Sequence, residues 1–149
     1  MDIALLRSSL ATDEGHLSAE GRQVIRALGN RIRLNEEPSF DCFLTSPVPS
    51  AVQTAELFAD RVDHIGLVEV MPALAGNVPP EVVAKQLLTR GESIMVVGDE
   101  PFLSALGAFL VGRPTFPPLV HAQVSIIKDR RPAWCFRPGE TGRSQLLVS

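Results

Sequence analysis

A chain of 149 residues, 45% of them hydrophobic and 21% charged, has the material for one compact domain over 1–149 with a sizeable core, and extensive disorder is excluded. A formal net charge of −3 with scattered basic residues gives no electrostatic footprint for nucleic acid. The absence of a basic and apolar leader, and of any apolar run longer than a strand, argues against a signal peptide or membrane span and predicts a cytoplasmic protein.

Ile3-Ala4-Leu5-Leu6 is a continuous apolar run of strand length, the pattern of a central strand covered on both faces. After a loop through Gly15, Ser18 caps a predicted helix in which Val24, Ile25, Leu28 and Ile32 recur at helical spacing to about residue 34. Cys42-Phe43-Leu44 reads as a second strand. Ser46-Pro47 opens a second helix with Ala51, Ala55, Phe58 and Val62 on one face, and Pro47 and Pro49 both suit a first turn. Leu67 to Val70 is a third strand, followed by a turn at Ala75-Gly76-Asn77 and a helix opened by Pro79-Pro80. Ile94 to Val97 is the fourth strand, ending at Gly98-Asp99-Glu100-Pro101, and Phe102, Leu103, Leu106, Phe109 and Leu110 mark an amphipathic helix. Gln123 to Lys128, Ala133 to Phe136 and Gln145 to Val148 then read as strands without intervening helices, the first two joined by a turn at Asp129-Arg130-Arg131-Pro132.

Alternating strand and helix over the first 110 residues predicts an α/β protein, a three-layer α/β/α arrangement with a mainly parallel central sheet and extra strands at the C-terminus. The functional cleft of such a sheet lies beyond the carboxyl ends of its strands. That singles out Arg7-Ser8, Thr45-Ser46, Pro72-Ala73 and Gly98-Asp99.

Those positions carry a resemblance to the histidine phosphatase superfamily, which is phosphoglycerate mutase-like in fold, and within it to the SixA-type phosphohistidine phosphatases. It runs from residue 1 to about residue 112. "MDIALLRSS" occupies the place of the family's strand ending in Arg-His-Gly, and "LSAEGRQ" resembles its Leu-Thr-x-x-Gly helix start. "LTSPVPSAVQTAELF" resembles the Ser-Pro-x-x-Arg-Ala-x-Gln-Thr-Ala segment and is the most specific match. "VMPALAG" sits where Pro-Glu-Leu is usual, and "IMVVGDEPFLSAL" stands for the strand ending in a histidine followed two residues later by proline.

The resemblance implies a phosphoryl-transfer site in which a nucleophilic histidine, two arginines, a second histidine and a carboxylic acid act together. Position by position, the nucleophile corresponds to Ser8, the second arginine to Ser50, the acid to Ala73 and the second histidine to Asp99; Arg7 alone retains the family's residue. Glu69 is the alternative position for the acid if the register slips. The expected protein is therefore a degenerate, catalytically inactive SixA-like homologue acting as a binding or regulatory module. By analogy of fold its partner is a phosphotransfer or signalling protein. The alternatives are an active phosphatase or other hydrolase with a non-standard set that uses His16, Glu69 or Asp99, and a purely structural domain.

An ion pair between Arg7 and Asp99, direct or through water, is expected to fill the former phosphate pocket. Arg7, Ser8, His16, Ser46, Asp99 and His121 form the expected cleft set. Each also has a plainer reading. Ser8, outside any G-x-S-x-G context, reads as a loop serine bonding to its own backbone. Ser50 reads as solvated or bonded to backbone, and Asp99 or Glu100 before Pro101 suits the start of a helix. His16 is a loop residue, His64 a solvated or dipole-facing one, and His121 precedes a strand. His16, His121 and Asp99 lack a metal-ligand spacing, so no metal or cofactor is expected. Cys42 and Cys135 match no metal or redox spacing and read as buried free thiols. Arg130-Arg131 reads as a solvated turn, and Trp134 and Phe136 share one face of a strand.

Overall fold

β1 (Asp2–Arg7) is buried from Ile3 to Leu6, and its alternation divides the molecule: Ile3 and Leu5 join one apolar cluster, Ala4 and Leu6 the other. The computed structural model describes residues 1–36 and 38–149. Seven strands form one sheet in the order β3-β2-β4-β1-β5-β6-β7. β2 (Cys42–Thr45), β3 (Val68–Val70) and β4 (Ser93–Gly98) run parallel to β1, with β4 inserted between β2 and β1. β5 (Val124–Lys128), β6 (Arg131–Phe136) and β7 (Ser144–Gln145) add an antiparallel meander on the other side of β1.

Helices α1 (Ala19–Glu36) and α2 (Pro49–Arg61) cover one face through Ile25, Leu28, Ile32, Ala55 and Phe58. α3 (Pro80–Leu87) and α4 (Phe102–Val111) cover the other through Val83, Leu87, Leu103 and Leu106. This is the three-layer α/β/α arrangement with a parallel core. The reason is the one the sequence carries: strands apolar on both faces need a helix layer on each side.

Several boundaries move. α2 begins at Pro49, not at Ser46-Pro47, because the backbone of Val48 is still extended and Ser46 N–H bonds Val97 O at 3.0 Å, continuing the sheet. The turn after β3 is a 3-10 helix over Pro72–Ala75 closed by Gly76 at φ 91°, a left-handed backbone that suits glycine. The hairpin between β5 and β6 is tighter than expected: Asp129 and Arg130, at φ 48° and 64°, make a two-residue turn, and Arg131 pairs with Lys128 inside the ladder. Pro132 is tolerated there because the register shifts beside it, between Ile126 and Ile127. Arg130 is not simply solvated, since its Nε donates to Leu110 O at 3.2 Å and ties the hairpin to α4. β7 is only two residues, and the chain beyond it contributes the buried Leu146 without further strand. Cys135 is buried as expected, whereas Cys42 is only half-buried.

Candidate functional site

α1 leaves β1 toward one face of the sheet and α4 leaves β4 toward the other, while β1 and β4 lie side by side. Their diverging loops open a crevice at the carboxyl ends of the strands, the point at which open α/β sheets bind ligands. Arg7 pairs with Gly98 in the last rung, and Ser8 N–H extends the ladder to Gly98 O at 2.9 Å. Ser8 and Asp99 are thereby brought to one edge from positions 91 residues apart, and the Ser8 hydroxyl donates to Asp99 Oδ1. Ser8, 2% exposed, is therefore not bonded to its own backbone as its loop position suggests.

Arg7 Nε lies 4.0 Å from Asp99 Oδ1, and Arg7 Nη1 donates to Leu119 O at 2.9 Å. The two side chains face one another at the outer limit of an ion pair, and Arg7 Nε is buried without a hydrogen-bond acceptor. Glu100, not Asp99, supplies the helix-start carboxylate: one of its oxygens accepts from Ser104 N–H at 2.7 Å in the first turn of α4, the other from Leu119 N–H at 3.2 Å. One acidic residue thus fixes both α4 and the loop whose carbonyl holds Arg7. Glu100→Ala is expected to cost about 1–2 kcal/mol of stability in thermal unfolding, in the range of a lost helix cap. It should also speed amide exchange at Leu119, and an unchanged melting temperature with unchanged exchange would remove this role.

The same connection between α4 and β5 closes the crevice. Ala122 N–H reaches Arg7 O at 3.1 Å and Ser8 O at 3.3 Å, with Ala122 held at φ 60°, a costly backbone for a residue with a Cβ. His121 Nδ1 stands 3.0 Å from Ser8 O; a carbonyl only accepts, so Nδ1 carries the proton. His16 is exposed and its Nδ1 contacts Gln53 Nε2 at 3.3 Å, while Gln53 Oε1 accepts from Leu17 N–H at 2.7 Å. His64 stands just past the C-terminal end of α2, with its backbone N–H on Ala59 O at 2.9 Å, and it is not simply solvated: its ring packs on Phe43 at 4.5 Å between centroids and its Nε2 is buried. Among the described residues no histidine hydrogen-bonds Ser8 Oγ, so the hydroxyl lacks the imidazole base that activates a serine nucleophile.

Ser50, in the first turn of α2, is 6% exposed rather than solvated, and its carbonyl accepts from Thr54 Oγ1 at 2.7 Å. Thr54 in turn accepts from Ser9 N–H at 3.0 Å, which explains why the Gln-Thr stretch of α2 steers the loop after β1. Ala73 sits half-buried on the 3-10 helix against the α3 and α4 side of the core. Glu69 is directed away from the crevice and pairs with Arg90, in the segment that leads into the amino end of β4, so it is removed as a cleft acid. No group of three potential ligands is placed to hold a metal among the described residues.

Beside Asp99 an open cleft of about 620 Å³ extends between the 3-10 helix and the start of α4. Ser46 and Asp99 are the two members of the expected cleft set that line it. Most of the rest of its wall, Leu74 to Pro80 with Val48, Pro101, Phe102 and Ala105, carries no functional signal in the sequence. The turn glycine at 76 and the prolines at 79 and 80 marked a change of direction there without marking a binding surface.

No family model and no curated protein sequence matches this chain. Solved structures do. The protein histidine phosphatase SixA in complex with tungstate superposes with a TM-score of 0.80 at 22% identity, over 93% of this chain and 97% of that one. A protein assigned as the phosphohistidine phosphatase SixA of Agrobacterium tumefaciens gives 0.74 at 17%, over 92% and 97%. A mycobacterial glucosyl-3-phosphoglycerate phosphatase in complex with VO3 gives 0.65 at 15%, over 85% and 92%. At these identities the likeness establishes the fold: this chain has the SixA-like histidine phosphatase fold, phosphoglycerate mutase-like in architecture.

Proposed function

With the histidine phosphatase fold as premise, we propose that this protein is a catalytically inactive member of that architecture which serves as a binding or regulatory module. The observation that carries this reading is the hydrogen bond from Ser8 to Asp99 at the crevice between β1 and β4, with Arg7 Nε 4.0 Å from the same carboxylate oxygen. Phosphoryl transfer rests almost wholly on positioning and on neutralising phosphate charge. Where the resemblance calls for two imidazoles beside Arg7, the chain has a neutral hydroxyl and an anion. At ~4 Å and an effective dielectric near 20, a carboxylate against a phosphate oxygen costs about 4 kcal/mol before screening, roughly what Arg7 alone returns.

The purified chain is therefore expected to show no turnover of an aryl phosphate above buffer, and no thermal shift with phosphate or vanadate. Turnover that disappears in Arg7→Ala would overturn the proposal. Phosphate binding without turnover, lost in the same variant, would convert it into a phospho-ligand sensor. A phosphotransfer or signalling protein as partner rests on analogy of fold, and a pull-down with the intact chain tests it.

A further inference from the structure

The 620 Å³ cleft beside Asp99 is of the size that takes small organic ligands. Its walls are mainly apolar, formed by Val48, Leu74, Val78, Pro101 and Phe102. Both charged residues on its lining are acidic, Asp99 and Glu100, and no lysine, arginine or histidine lines it among the described residues. Glu100 is committed on both oxygens, to Ser104 N–H and Leu119 N–H. Asp99 is not: its contacts with Ser8 and Arg7 both fall on Oδ1.

A second observation points to the same place. Ser46 lines the cleft, is 2% exposed, and its Oγ is buried without a hydrogen-bond partner. A buried hydroxyl left unpaired costs about 1–3 kcal/mol, so such a group calls for a partner that the protein itself does not supply. Ser46 follows the last residue of β2, whose Thr45 pairs with Val97 of β4, so the hydroxyl and the Asp99 carboxylate stand at the ends of adjacent strands. A carboxylate only accepts and a hydroxyl accepts readily, whereas a primary ammonium has three donors and no acceptor.

We propose that this cleft binds a small-molecule primary amine with an apolar body, its ammonium shared between Asp99 and Ser46 and its body against Leu74 and Phe102. The inference rests on the non-phosphatase reading of the same crevice, since a site that holds phosphate there could not also favour a cation. Asp99 serves both sides, Oδ1 toward Arg7 and Ser8 and Oδ2 toward the ligand.

The test uses the full chain and three probes with a common phenyl body: 2-phenylethylammonium, 2-phenylethanol and 3-phenylpropanoate, titrated by NMR. The ammonium is expected to bind about tenfold more tightly than the alcohol, as one charge-assisted hydrogen bond gives. The carboxylate should not bind. Asp99→Asn should bring the amine down to the level of the alcohol, and Ser46→Ala should weaken it while leaving the fold intact. Equal affinity for the three probes, no binding of the ammonium, or amine binding unchanged in both variants would each overturn the proposal. So would cleft signals that respond to protein concentration instead of amine, which would make a second copy the occupant. Aryl phosphate turnover would remove the underlying reading; loss of the amine preference with turnover still absent would remove this inference alone.

Discussion

Gly21→Ala is expected to lower stability by about 3 kcal/mol, near the upper end of overpacking penalties, and the melting temperature by roughly 10 °C. Alanine is the better helix former, by about 1 kcal/mol, so propensity alone predicts the opposite sign. The close approach decides it: a Cβ at position 21 would overlap Leu10 O and sit 2.9 Å from Leu10 C, both backbone atoms. The neighbouring bonds prevent an easy retreat. Ser18 N–H and Oγ both bond Leu10 O, Gly21 N–H donates to Ser18 Oγ at 2.9 Å, and Ser9 Oγ donates to Gly21 O at 2.8 Å. The loop pinned there is the one that carries Ser8 into the crevice. Thermal unfolding followed by circular dichroism checks the prediction, and a melting temperature equal to or above that of the parent would refute it.

Introducing the residues that the histidine phosphatase resemblance implies, as Ser8→His, Ser50→Arg, Ala73→Glu and Asp99→His together, is expected to take phosphate affinity from undetectable to the millimolar range. Millimolar binding needs about 4 kcal/mol. A charge contact at ~4 Å supplies about 4 kcal/mol before screening, and the crevice is partly open, with Arg7 and Asp99 side chains 25% and 39% exposed, so each contact delivers a fraction of that. The variant removes the carboxylate at 99 and adds one arginine and two imidazoles around Arg7, several such contacts in all; the carboxyl added at 73 offsets part of this gain unless it is protonated, as its role of acid requires. Isothermal titration with phosphate or vanadate reads the outcome. Because Ser50 is only 6% exposed, the longer arginine side chain introduced there must displace packing. The double change Ser8→His with Asp99→His therefore serves as a second variant, expected to bind more weakly than the full set. A folded fourfold variant that binds no phosphate would mean that these positions do not converge on one anion.

Much of this site was legible from local pattern. Apolar runs of strand length, helical spacing and proline at helix starts located Arg7, Ser46 and Asp99 at strand ends, because each signal is carried by residues a few positions apart. The roles of neighbours were harder to separate. Asp99 and Glu100 are equivalent as helix-start carboxylates in sequence; in the structure Glu100 bonds Ser104 N–H in α4 and also Leu119 N–H, 19 residues on, while Asp99 turns to Ser8 in the crevice. Glu69 likewise reads as a cleft acid until Arg90 is found beside it.

By itself the amino-acid sequence determined the layered architecture, since strands apolar on both faces and amphipathic helices admit few arrangements, and it determined which residue types stand at the strand ends that border the crevice. Tertiary structure decided what those residues touch. The insertion of β4 beside β1, the antiparallel turn of β5 against them, the Ser8 to Asp99 bond and the unpaired Ser46 hydroxyl all depend on contacts between residues tens of positions apart. Such contacts are chosen by packing and hydrogen-bond satisfaction across the whole core, and no local periodicity encodes them.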